Sequence, residues 1–100
     1  MEEREMYMKD IEEKVYRQAL YKWGSEAQII MVFEEMAELQ KELCKYLRNV
    51  DAIETKLKIA EEIADVEIML AQMKILFGIE EGVERYKKLK IQRLQERLER

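Results

Sequence analysis

One hundred residues, 48% apolar and 40% charged, with no proline and three glycines, have the make-up of one small domain built from long helices. A formal net charge of −4 argues against the dominant basic surface that a nucleic-acid binder needs. Histidine is absent, which removes histidine-based triads, typical zinc sites and the Glu-x-x-His di-iron bundles.

The first helix is expected from about Glu3 to Lys22, with Ile11, Val15, Tyr16 and Ala19 on its inner side. Gly24 interrupts it, and Ser25 with Gln28 has the spacing of a capping box. The second helix then runs to about Leu47, its expected core stripe being Ile29, Val32, Phe33, Met36, Leu43 and Leu47. Arg48-Asn49-Val50 reads as a short connection, and Asp51 with Glu54 offers another capping box. The third helix is expected from about Ala52 to Phe77, where Gly78 stops it. The last starts near Glu80 and continues to the C-terminus, with Val83, Tyr86, Leu94 and Leu98 inside and Gly82 fraying its first turn.

Residues 1–100 therefore read as a single all-α domain, a four-helix antiparallel bundle. So short a chain buries a modest share of its surface, so oligomerisation is expected to complete the core. Cys44 is the lone cysteine and falls on an apolar stripe, as a small core residue would. No apolar run reaches membrane-spanning length and the charged N-terminus lacks a signal peptide's apolar segment, so a reduced, cytoplasmic setting is expected. Charge is uneven: residues 1–13 carry six acids and two bases, whereas residues 85–100 carry seven bases and two acids. That basic end is either a solvated helix face or a means of holding an anion.

Two acidic motifs stand out, Glu35-Met36-Ala37-Glu38 and Glu62-Ile63-Ala64-Asp65, with 23 residues between them. Each sets two carboxylates three residues apart, on one side of a helical turn. Four converging carboxylates repel unless a multivalent cation neutralises them, and hard oxygen ligands favour Mg²⁺ or Mn²⁺. Helical projection puts Glu35, Glu38 and Glu42 on a stripe with Gln28 and Met31, opposite Phe33, which reads as an ordinary solvated face. It puts Glu62 among Val66, Met69, Met73 and Leu76, with Asp65 at the edge beside Gln72 and with Glu67 and Lys74 on the wet side. An unpartnered buried carboxylate costs several kcal/mol (about 2–7 for a neutral polar group, more for a charge) or is driven neutral. Either a metal ion or an ion pair with Lys58, one turn earlier, must account for Glu62.

Together the motifs and their apolar flanks, from Phe33 to Leu43 and from Glu61 to Leu70, resemble the MazG-like all-α nucleoside triphosphate pyrophosphohydrolases. That family carries Glu-x-x-Glu on one helix and Glu-x-x-Asp on the next. The resemblance extends from about Trp23 to Arg93. It implies a hydrolase that cleaves a nucleoside triphosphate between its α and β phosphorus atoms, giving a monophosphate and pyrophosphate. It implies Mg²⁺, or Mn²⁺, on Glu35, Glu38, Glu62 and Asp65, and a homodimer or homotetramer. Glu34 matches the extra acid that orients or deprotonates the attacking water, a task in which Glu38 is expected to share. Lys87, Lys90 and Arg93, spaced three apart, are candidates to stabilise departing pyrophosphate. Many members have a Lys-Asn pair followed by arginine in this last helix, whereas Ile91 follows Lys90 here. Trp23 either stacks a base or packs the helix junction, packing being the plainer use. The competing reading is a non-catalytic helical interaction or assembly module, which has no need of a buried Glu62.

Overall fold

A computed structural model of the chain describes residues 2–48 and 53–100. Four helices and no strand occur among the described residues: α1 (Glu2–Trp23), α2 (Ser25–Arg48), α3 (Ile53–Phe77) and α4 (Glu80–Leu98). The expected boundaries hold within about two residues. Most of the expected Arg48–Val50 connection, and Asp51 of the second capping box, lie outside the described residues.

Glycine sets both described breaks. Gly24 has φ of 89° and Gly78 has φ of 62°, left-handed values that an L side chain rarely adopts. At Gly78 the amides of Gly78 and Ile79 donate to the carbonyls of Ile75 and Lys74, at 3.2 and 3.0 Å. Those paired bonds make a Schellman ending and satisfy carbonyls that the helix leaves free. Gly82 does not fray α4, which is helical from Glu80 onward. The Ser25–Gln28 capping box is not formed: Gly24 precedes the helix, its carbonyl accepts from the Gln28 amide, and the Gln28 side chain is engaged elsewhere.

α2 and α3 are the central pair, α1 lies against both, and α4 touches only α3 among the described residues. The α2–α3 register is antiparallel and steps in sevens. Gln28 meets Gln72, Glu35 meets Asp65, and Glu42 faces Lys58 across the pair. Seven residues are close to two helical turns, so these three layers stay on one seam.

That seam is polar, which reverses the expected packing of α2. Gln28, Glu42, Glu62 and Gln72 are buried, whereas Val32 and Met69 are the only buried apolar residues among those described. Phe33 is 62% exposed, and Met36, Leu43 and Leu47 are exposed as well; of the expected stripe only Val32 is buried and Ile29 half-buried. Helical periodicity separates two faces without saying which one turns inward. Here the amides partner one another across α2 and α3, the buried carboxylates pair with lysines of their own helices, and the apolar face is left outside. The same holds for Ile11 and Val15 in α1, for Tyr86, Leu94 and Leu98 in α4, and for Cys44, all exposed. Tyr16, Ala19 and Val83 are half-buried, on the expected side.

The result is an open, spread molecule. Its radius of gyration is 16.7 Å, against about 13 Å for a compact chain of this length. Its accessible surface is 8806 Å², whereas a compact 12.1 kDa monomer exposes about 6,000 Å².

Candidate metal centre

Midway along the polar seam, α2 contributes Glu35 and α3 contributes Glu62 and Asp65. One carboxylate oxygen from each lies within 4.8 Å of the others, close enough to share a single cation. Glu62 and Asp65 are three apart on one helix and so project from the same side. The antiparallel register brings Glu35 across from them. Glu62 is only 6% exposed, while Glu35 and Asp65 are half-buried.

The electrostatics show unrelieved repulsion. The Glu35 carboxyl is pushed above its ordinary pKa by burial first, then by the charges of Asp65 and Glu62 and a hydrogen bond with Asp65 that favours the protonated form. Glu62 is likewise pushed up, by burial and then by Asp65, with Lys58 opposing. The Lys58 ammonium is 4.0 Å from Glu62 and nearer Glu61, at 3.4 Å. It offsets part of the effect on Glu62 and leaves the shift upward. Glu42, expected on a wet face, is buried two turns away and paired with Lys45 at 3.1 Å.

Three acids crowded into one half-sheltered place, with no cation among the described residues close enough to neutralise them all, fit a hard divalent ion. A carboxylate whose pKa is raised holds more protons folded than unfolded, so its ionisation opposes folding as pH rises above the ordinary carboxylate range. The cation-free protein is therefore expected to melt at a higher temperature near pH 5.5 than near pH 7.5, about one unit above and well above the ordinary range. Added Mg²⁺ should raise the neutral-pH melting temperature towards the acidic one. Calorimetry in EDTA and in Mg²⁺ checks this, and a melting temperature indifferent to both variables would remove the repulsion argument.

The other anticipated residues are placed unevenly. Glu38, one turn beyond Glu35, is exposed and lies outside the three-carboxylate group, though its charge reaches both Glu35 and Glu62. Glu34 and Trp23 are exposed and line a groove beside the cluster. Lys87, Lys90 and Arg93 are exposed on α4, which makes no contact with α2 among the described residues. Lys87 pairs loosely with Glu84 at 3.8 Å. Within one chain the basic set is not brought to the acids.

Two further polar residues at this seam are Gln28 and Gln72, whose side chains join at 2.6 Å. Their seven-residue offset from Glu35 and Asp65 was the available signal. No helix among the described residues is long and apolar enough to cross a membrane. Comparison with protein-family models, with curated proteins and with solved structures finds no match to this chain.

Proposed function

We propose that this protein is a divalent-metal-dependent nucleoside triphosphate pyrophosphohydrolase, releasing pyrophosphate and a nucleoside monophosphate. The observation that supports this reading is the meeting of Glu35, Glu62 and Asp65 on a sheltered seam, with the ionisation of Glu35 and Glu62 opposed. Their all-oxygen donor set suits Mg²⁺ or Mn²⁺. A bound divalent ion supplies neutralising charge and Lewis acidity towards phosphoryl oxygens. Glu35, Glu62 and Asp65 would hold it, with Glu38 at the rim as a further oxygen donor. Glu34 and Glu38, both exposed and close in sequence to Glu35, are the residues we assign to take the proton of the attacking water.

The working form is proposed to be a homodimer or homotetramer. Compared with a compact monomer the chain exposes roughly 2,800 Å² more surface, an amount in the range of obligate homo-oligomer interfaces. Since α4 stays clear of α2 in its own chain, Lys87, Lys90 and Arg93 serve the acidic centre of another copy, where they offset charge on departing pyrophosphate.

The apolar exterior also favours a second reading, a non-catalytic assembly module of the same fold. Assay of purified protein against a panel of nucleoside triphosphates separates the two. The enzyme is expected to release pyrophosphate only when Mg²⁺ or Mn²⁺ is present. Orthophosphate as first product would move cleavage to another bond, and silence across the panel would favour the module.

A further inference from the structure

A groove with a cavity volume of ≈ 540 Å³ opens along the same α2–α3 seam, lined by Trp23, Gln28, Met31, Met69 and Gln72 among others. Its size falls in the ~300–1,000 Å³ range of small-molecule sites. Its walls are mainly apolar, yet Gln28 and Gln72 are only 5% and 4% exposed. Two carboxamides so deeply placed among Met31 and Met69 call for a reason beyond solvation.

Their hydrogen bonding is incomplete. Gln28 Nε2 donates to Gln72 Oε1 at 2.6 Å, while Gln72 Nε2 reaches only the Met69 sulfur, at 3.8 Å. A thioether is a weak acceptor. No buried side-chain oxygen or nitrogen among the described residues lacks a partner, so Gln28 Oε1, which accepts no side-chain bond there, is open to solvent. The pair thus leaves one free acceptor and one underused donor on a groove that an indole also lines. A flat heterocycle that presents both a donor and an acceptor suits such a lining. Gln28 lies seven residues from Glu35 along α2, roughly 10 Å at 1.5 Å per residue. A pentose spans that gap when its phosphates lie at the acidic cluster.

We infer that the Gln28–Gln72 carboxamide pair is the specificity-determining contact for the nucleobase, with Trp23 supplying a stacking face. The inference rests on the pyrophosphohydrolase reading only for where the phosphates lie. The Lys22 ammonium stands 5.4 Å from the centre of the Trp23 ring, which places positive charge next to that face. Base selection then follows from hydrogen bonding in a dry site, where a mismatched edge leaves buried amides unpaired.

Trp23 is the sole tryptophan and reports binding directly. The test titrates UMP, CMP, AMP, GMP and the baseless ribose 5-phosphate into the full chain in the presence of Mg²⁺, following its fluorescence. At least one nucleotide should bind saturably, and tighter than ribose 5-phosphate. The double variant Gln28→Leu with Gln72→Leu, which leaves neither amide stranded, should weaken that binding about tenfold or more. Circular dichroism confirms that the variant stays helical; should it unfold, Gln72→Glu, which keeps size and polarity, should change which base binds best. No response to any nucleotide, or an unchanged order of preference in a folded variant, would overturn the inference. Base-dependent binding without any pyrophosphate release removes the hydrolase and leaves the base site. Release with identical base preference in the variant does the opposite.

Discussion

Glu62→Gln is expected to lower metal-dependent pyrophosphate release roughly 100-fold or more, while far-ultraviolet circular dichroism stays unchanged. Losing a partner that merely orients a metal ligand already costs about 10–100-fold, and losing a ligand's charge removes more. The amide keeps the volume of the carboxylate, so packing at that buried position is retained. It also relieves the repulsion from Asp65 that raises the Glu62 pKa, so the cation-free variant should melt no lower than the parent. Glu67→Gln, on the exposed side of the same helix, is the matched control and should keep full activity. Full activity in Glu62→Gln would sink the centre as assigned. Equal loss in both variants would point to a bulk electrostatic effect instead.

Phe33→Asp is expected to dissociate the proposed homo-oligomer. Phe33 is 62% exposed beside Ile30 and Met36, so in a single chain an aspartate there would meet water and do little harm. In a two-fold interface the change counts twice, once per copy. Removing two buried phenylalanine side chains forfeits roughly 3–6 kcal/mol, a weakening on the order of 100-fold or greater, before the charge is considered. Sedimentation velocity across a concentration series reads the outcome. A parent protein that sediments as a stable monomer at micromolar concentration would discard the proposed oligomer.

The elements themselves were plain in the sequence. Gly24 and Gly78 punctuate a proline-free chain, and both adopt the positive φ that their residue type permits. Burial of Glu62 was equally legible, because Val66, Met69 and Met73 surround it at helical spacing. The inward face of α2 was not. Its apolar stripe through Phe33 and Leu43 has the stronger claim to a core, and a core was assumed to lie within one chain. Burial instead follows from what each face can pair with: Gln28 has Gln72 opposite, and Glu35 has Asp65. Such pairings depend on the register between helices, which periodicity in either one alone does not contain. The position of the α4 basic residues was beyond reach for a related reason, since nothing in their spacing tells which chain they serve.

α4 adds a consequence of its own. It is a 19-residue rod, about 28 Å long, attached through the Gly78 turn and resting on a single neighbour. Helices of such length are only marginally self-supporting in water, and α4 buries none of its residues. In the proposed oligomer a neighbouring copy would supply the packing that α4 lacks in its own chain. On the proposed oligomer, dilution would unravel this rod before the α2–α3 pair loosens, and any pyrophosphate release would fade with concentration well ahead of global unfolding.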